Sequence, residues 1–161
     1  MLASVYHILY MFIPTTIHPM VVHFTIAILY LAVLADLIAF FSKSEFYERA
    51  GFIMLGLGVL ATIAAGVAGS LSENADKLTP QTAALIHTHA SFGELTGIVF
   101  LAAWVVRLMT RYKRSGRVFG PSLILSLIGL ALLTYVGHLG GDLVYNHGVG
   151  VNAVGLGRIH P

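Results

Sequence analysis

The chain contains no cysteine among its 161 residues and has few charged side chains. Without cysteine it forms no disulfide, no thiolate metal site and no covalent haem attachment of the c type. Charged residues make up 10% of the sequence, whereas they make up about 25% of an ordinary soluble domain. Because 57% of the residues are hydrophobic, the composition predicts an integral membrane protein with a single domain.

Four long apolar runs are present, each about as long as the 20 residues that cross a bilayer. Short connections make neighbouring helices antiparallel, so we expect an all-α membrane protein with an up-down four-helix bundle. No internal repeat is evident. The predicted spans are Pro19–Phe41, Gly51–Ser70, Pro80–Met109 and Pro121–Val144. Around them we expect an interfacial N-terminal segment at 1–15, the four-helix domain at 16–147 and a glycine-rich tail at 148–161.

The nine lysines and arginines are unevenly distributed, which predicts the orientation of the spans. Seven lie in or beside the connections after the first and third spans, five of them between Arg107 and Arg117. Only Lys77 and Arg158 lie on the opposite side. Since positively charged loops stay in the cytoplasm, we expect a bacterial inner-membrane protein with both termini extracytoplasmic. Basic residues gathered in short loops indicate topology rather than nucleic-acid binding.

Histidine is the residue type that points most clearly to a function. His23 lies about one turn inside the first span, and an ionisable side chain inside lipid by default marks a functional site. Counted from the cytoplasmic boundary, His23, His89 and His138 lie 17–19 residues deep on three different spans. At 1.5 Å per residue all three lie roughly 26–28 Å from the inner surface. Three further histidines lie farther out on the same side: His18, His87 and His147.

Small residues follow the helical period close to these histidines. On the third span Gly93 and Gly97 follow His89 at i+4 and i+8, and on the second span Gly66 follows Thr62 in a similar series. Such series are typical of close packing between membrane helices. Beside histidines they equally indicate a slot in which a flat macrocycle lies against the backbone.

The histidines allow three interpretations. Two imidazoles from facing helices supply the axial ligands of a haem of the b type, and His23 with His89 or His138 meets the requirement of equal depth. A second haem would take its pair from the three outer histidines. The same side chains also suit a zinc, copper or iron ion, which needs three or four ligands. The third interpretation is a set of polar residues hydrogen-bonded between helices.

Two carboxylates lie within the predicted spans. Glu94 is expected to be neutral, hydrogen-bonded or paired, because an unpaired carboxylate in lipid is expensive. It would serve either as a proton-handling group or in a hydrogen bond between helices. Asp36 lies near the cytoplasmic end of the first span and is expected to pair with Arg107 or another basic residue in a structural role.

Two motifs resemble those of a family of small bacterial four-helix membrane proteins, the domain of unknown function 2231. The opening motif is His18-Pro19-x-x-Val22-His23-Phe24, and the closing motif runs from Gly140 to Val151. The resemblance covers nearly the whole chain and implies the four-helix fold with histidines clustered on the outward side. The histidines it implies are His18, His23, His87 or His89, and His147.

The sequence also departs from the pattern of that family. His138 lies outside it, and Thr25 stands where relatives often have proline. The resemblance implies no assigned activity, although relatives joined to Rieske-type or cytochrome-type modules suggest respiratory electron transfer.

We therefore expect a membrane-embedded b-type cytochrome with one or two haems near the extracytoplasmic face. It would transfer electrons between the quinone pool and an extracytoplasmic redox protein, as a homo-oligomer or within a larger complex. The alternatives are a copper, zinc or iron site on the same histidines and a structural subunit of a larger membrane assembly.

Overall fold

The computed structural model describes residues 17–72, 79–113 and 119–150. Within these ranges the chain forms four α-helices and no strand. The helices are α1 (Ile17–Ser42), α2 (Glu45–Ser72), α3 (Pro80–Lys113) and α4 (Phe119–Tyr145). Each is long and apolar enough to cross a membrane, which confirms the predicted all-α bundle of four spans. The predicted interfacial segment at 1–15 and most of the predicted tail lie outside the described residues.

The first connection is shorter than the sequence suggested. Helix α1 begins two residues before Pro19, which is tolerated because the first four N–H groups of a helix have no intrahelical partner. The charged stretch predicted as a loop belongs instead to the first turn of α2, where Glu45 and Glu48 complement the helix dipole. Only Lys43 and Ser44 connect the two helices, and Lys43 adopts the left-handed conformation (φ 58°) that ends many helices.

The start of α3 follows the sequence prediction. Thr79 precedes the helix, and its side-chain oxygen accepts a hydrogen bond from the backbone N–H of Thr82 at 3.2 Å. Pro80 occupies the first helical position, where the missing N–H costs nothing. The helix continues past Met109 to Lys113, so part of the expected basic loop is helical.

The four helices pack as two antiparallel hairpins. Helix α1 packs most closely against α2, and α3 against α4, while the hairpins meet through α2–α3 and α1–α4. The shared core is apolar, with Leu29, Leu55, Phe100 and Leu133 near its centre. Many other large apolar side chains point outward, which suits helices surrounded by lipid. We call the end at which α1 and α3 begin the histidine end, and the opposite end the ion-pair end.

The two hairpins repeat one another with an offset of 71 residues, which corrects the reading of the sequence as free of repeats. On the inward faces, residues of α1 correspond to residues of α3 that are 71 positions later. The corresponding pairs are His18 and His89, Thr25 and Thr96, Leu29 and Phe100, Ala32 and Ala103, and Asp36 and Arg107.

Packing against the second helix of each hairpin repeats in the same way. A side-chain carbon added at Gly58 would meet Leu29, and one added at Gly129 would meet Phe100 at 2.9 Å. The α2–α3 contact and the α1–α4 contact are also equivalent, because each joins the second helix of one hairpin to the first helix of the other. The bundle is therefore two parallel repeats related by a pseudo-two-fold axis along its length, as in some membrane transporters.

Candidate functional site

Two polar pairs lie on the inward faces of α1 and α3, one at each end of the core. Asp36 and Arg107 form the pair at the ion-pair end, and His18 and His89 form the pair at the histidine end. On each helix 18 residues separate the histidine from the charged residue. This distance is five full helical turns, or about 27 Å, so each histidine shares a face with its charged residue.

The Asp36–Arg107 ion pair is buried inside the bundle. Arg107 Nη1 lies 2.7 Å from Asp36 Oδ2, and both side chains are at most 2% exposed. Arg107 Nη2 also donates a hydrogen bond of 2.9 Å to the backbone carbonyl of Glu48. Gly51 leaves room for the carboxylate, since an added side-chain carbon would collide with Asp36 Oδ1. The structure thus confirms the predicted pairing of Asp36 with Arg107 and joins three helices at this point.

This pair changes one part of the sequence analysis. Arg107 was expected at the start of a basic cytoplasmic loop, but its guanidinium lies inside the bundle. The desolvated Asp36 carboxylate holds it there, because a buried charge is tolerated only when it is paired.

At the histidine end, both imidazoles lie against the backbone of the neighbouring helix in their own hairpin. His18 Nδ1 lies 3.0 Å from the backbone carbonyl of Ala65, a distance at which it donates a hydrogen bond. A side-chain carbon added at Gly69 would lie 3.1 Å from the Cε1 atom of His18. Each of these features recurs 71 residues later around His89.

His89 packs in the equivalent way on α4. A side-chain carbon added at Gly140 would lie 3.2 Å from its Cε1 atom. The ring interacts with the backbone of Val136, the counterpart of Ala65. Its Nδ1 atom is nevertheless buried without a hydrogen bond, and such an atom costs about 1–3 kcal/mol. The His89 ring is therefore incompletely satisfied by the protein.

The two imidazoles come from different hairpins, and each lies on the helix face that also carries Asp36 or Arg107. Because Nδ1 of His18 is engaged by Ala65, its Nε2 atom is the nitrogen left to bind a ligand.

Several glycines near the histidine end border open space. Helices α2 and α3 touch where a carbon added at Gly97 would lie 3.1 Å from Thr62 Cγ2. Gly66 and Gly93 lie about one turn nearer the histidine end, and a carbon added at either would meet nothing within 4 Å. On the opposite side of the bundle Gly137, the counterpart of Gly66, is equally open. The predicted glycine series thus includes one packing contact, at Gly97, and two positions beside open space.

The other predicted ligands are more exposed than His18 and His89. His23 is exposed, and its Nδ1 atom lies 2.6 Å from the carbonyl of Pro19 on its own helix. His138 and His87 are also exposed, and the carbonyl of His87 accepts a hydrogen bond from Ser91.

His147 belongs to the end of α4. Its Nε2 atom lies 3.6 Å from Asp142 Oδ2, and Asn146 donates a hydrogen bond of 2.6 Å to Asp142 Oδ1. Gly148, with φ 65°, donates to the Val144 carbonyl, and the next residue donates to the carbonyl of Leu143. The bond from Gly148 to the carbonyl four residues earlier is that of an αL C-cap, so much of the closing sequence motif serves to end the helix.

Glu94 is exposed on α3 and has no hydrogen bond or ion pair among the described residues. It is the counterpart of His23 in the repeat, so both point away from the core. Among the described residues there is also no group of three histidine, aspartate or glutamate side chains that could hold a metal ion. The histidine pair is thus the strongest constellation of the described chain.

Sequence reasoning missed the pairing of His18 with His89 and the role of Gly69. Both follow from counting five turns back from Asp36 and Arg107, the charged residues that must face inward. The offset of 71 residues carries the same information, because it relates Gly69 to Gly140 as well.

Comparison with known proteins agrees with this architecture. Neither a curated protein nor a solved structure matches the chain. A family model described as a predicted membrane protein matches residues 14–153, which include all four helices and the histidine pair. The chain therefore belongs to this family of membrane proteins, DUF2231.

Proposed function

We propose that the protein is a b-type cytochrome in which one haem is held between the two hairpins by His18 and His89. The observation that carries this proposal is the pair of equivalent histidines, one from each hairpin, each packed against a glycine of the neighbouring helix at the histidine end. Bis-histidine ligation from facing helices is a common way to hold haem in a helical bundle. The pair differs from the one expected from depth alone, which included His23.

The surroundings of the pair fit a flat macrocycle better than a small ion. Two neutral imidazoles complete the axial positions of a haem iron, whereas a zinc or copper site takes three or four protein ligands. A plate between the hairpins would extend toward the open spaces at Gly66 and Gly93 on one side and at Gly137 on the other. His87 and His147 lie in other environments, which favours one haem over two.

The chain's own residues have defined tasks in this proposal. The Ala65 carbonyl orients the His18 ring and fixes its proton on Nδ1, and the backbone of Val136 stands in the same place for His89. Gly69 and Gly140 let both rings lie directly on the neighbouring helix. The Asp36–Arg107 pair holds the far ends of the hairpins together. When bound, the haem supplies reversible one-electron exchange.

The orientation and location of the protein belong to the same proposal. Even without the buried Arg107, six basic residues lie in or beside the connections after the first and third predicted spans, against two elsewhere in the sequence. This distribution supports an inner-membrane protein whose histidine end faces the extracytoplasmic side. The haem would then lie near an extracytoplasmic redox partner.

Absorption spectroscopy of the purified full chain tests the proposal. We expect a Soret band, sharp bands on reduction and one haem per chain by pyridine haemochrome. H18G and H89G should each lose most of the bound haem or convert it to a high-spin form. Added imidazole should restore the low-spin spectrum of each variant, which a merely misfolded protein would not allow.

Two matched variants separate the site from the other histidines. H23A and H138A remove exposed imidazoles of the same bundle, and both should keep the wild-type spectrum. A colourless protein with stoichiometric zinc or copper would overturn the proposal in favour of a metal site. A colourless protein without metal, or full haem content in both H18G and H89G, would also overturn it.

A further inference from the structure

Polar side chains lie on the outside of the bundle where α1 meets α4, toward the histidine end, and we call this surface the α1–α4 groove. Tyr30 and Thr134 join the two helices through a hydrogen bond of 2.6 Å between their hydroxyl groups, although both side chains are exposed. His23 lies seven residues before Tyr30, on the same face of α1. His138 lies four residues after Thr134, on the same face of α4.

The register of the antiparallel helices brings the two imidazoles to similar heights. From the Tyr30–Thr134 bond, the two histidines lie about 10 Å and 6 Å toward the histidine end. Side chains lean toward the N-terminus of their own helix, so the Tyr30 hydroxyl already reaches in that direction. His23 and His138 therefore lie within about one turn of each other, on either side of the groove.

The floor of the groove is open. Gly137 and Gly141 follow Thr134 at i+3 and i+7, and a side-chain carbon added at either would meet nothing within 4 Å. His138 has no hydrogen bond among the described residues, and only Nδ1 of His23 is engaged. Each histidine thus has at least one ring nitrogen with no hydrogen-bond partner among the described residues, on a surface that faces lipid.

The repeat shows that the bundle itself does not require these side chains. The equivalent groove between α2 and α3 has the same backbone arrangement but places other residues at the four positions. At the positions equivalent to His23, His138, Tyr30 and Thr134, the α2–α3 groove has Glu94, Val67, Leu101 and Ile63. Only the α1–α4 groove therefore combines two imidazoles, a phenol and a hydroxyl on a lipid-facing surface.

These features restrict the kind of ligand. It must arrive through lipid, because the groove opens on a membrane-spanning face. It must carry hydrogen-bond acceptors, because imidazole and phenol offer N–H and O–H donors. It must be flat, because the floor is formed by glycine backbone between two helices. An isoprenoid quinone has all three properties.

We propose that the α1–α4 groove binds the head group of a membrane quinone, with a quinone carbonyl accepting a hydrogen bond from His138 or His23. Gly137 lies on α4 about one turn from Gly140, which packs against His89, so the head group would lie close to the site described above. The binding site stands on its own geometry, whereas its use as the electron donor or acceptor site rests on the proposed haem.

Photolabelling of the full chain in phosphatidylcholine nanodiscs tests this proposal. An azido-quinone with a short isoprenoid tail is crosslinked by light, and the labelled peptides are identified by mass spectrometry. We expect labels on α1 and α4 near His23 and His138, with at least a fivefold decrease when excess unmodified quinone competes. The double variant H23L/H138V should lower labelling by at least fivefold.

Equivalent positions in the repeat supply the controls. E94Q changes the counterpart of His23 and should leave labelling unchanged, while V67H/E94H should create a new labelled site between α2 and α3. Labels confined to α2 and α3 in the wild type, labels that quinone fails to compete, or full labelling of H23L/H138V would overturn the proposal. Competition by phospholipid instead of quinone would also overturn it.

Haem content measured on the same samples separates the two proposals. Specific labelling of a protein without haem would leave the quinone site standing and refute the cytochrome. A haem protein without competed labelling would do the reverse. Monodisperse gel filtration of H23L/H138V excludes misfolding as the cause of a lost label.

Discussion

Replacing Arg107 with methionine removes one partner of a buried ion pair and leaves a shorter, unbranched apolar side chain. Arg107 is 2% exposed and contacts both the Asp36 carboxylate and the Glu48 carbonyl. The variant leaves the carboxylate of Asp36 buried beside Gly51 with no cation. Breaking such a pair costs about 3–5 kcal/mol. The equilibrium constant of unfolding should therefore rise by a factor of about one hundred to several thousand.

The double variant D36L/R107M distinguishes the loss of the pair from the loss of volume. Replacing a buried ion pair with apolar residues is often neutral or stabilising, so we expect the double variant to unfold close to the wild type. The coupling between the two substitutions should be at least about 2 kcal/mol. R49M is the matched control, because Arg49 forms an exposed pair with Glu45 at 3.3 Å worth at most about 0.5 kcal/mol.

Fluorescence reports this equilibrium directly. The chain contains a single tryptophan, and Trp104 stacks against Phe52 across the α2–α3 contact at 6.1 Å between ring centroids. Its emission should change when the hairpins separate in mixed detergent and sodium dodecyl sulfate micelles. A cost below about 1 kcal/mol for R107M, or additive effects in the double variant, would refute the assignment of this pair as the main polar link between hairpins.

Three further predictions follow from the repeat and the site. Exchanging the charges in D36R/R107D should recover most of the stability that D36R alone loses, since the two positions are equivalent. Trp104 fluorescence measures the stability of both variants, and no recovery would refute the pseudo-symmetry. G140V should lower haem occupancy at least tenfold, because a Cβ would lie 3.2 Å from His89 Cε1; unchanged haem absorbance would contradict this. Q81C should react with an impermeant maleimide in intact cells, whereas E45C should react only after permeabilisation. The wild-type chain gives no background because it lacks cysteine. The reverse pattern would invert the proposed orientation.

Local sequence features predicted the helices well. Apolar runs of sufficient length gave the four spans, and the predicted start of the third span at Pro80 is the first residue of α3, where Thr79 caps the helix. The boundary between α1 and α2 was misplaced, because charged residues such as Glu45 are as compatible with the first turn of a helix as with a loop.

The pairing of histidines was harder to predict, because the depth of a residue in the membrane does not say which face of its helix it occupies. His18 and His23 differ by five residues, which is a rotation of about 140° around the helix. This rotation places His18 against Gly69 and leaves His23 at the surface. The face on which a histidine lies can be predicted only by comparison with a residue that is known to face inward. Asp36 is such a residue once its pairing with Arg107 is recognised.

The repeat escaped sequence inspection for a related reason. It is carried by a small set of inward positions, such as Leu29 and Phe100 over Gly58 and Gly129, whereas lipid-facing positions have diverged freely. These few identical or similarly packed positions are separated by residues that differ between the hairpins.

Electron paramagnetic resonance of the oxidised full-length protein is the most direct test of the histidine pair. If His18 and His89 hold one haem between the hairpins, the wild type gives a low-spin ferric signal of two imidazole ligands. H18G and H89G then each give a high-spin signal that returns to low spin with added imidazole. A high-spin wild type, or a low-spin signal unchanged in both variants, would contradict the account.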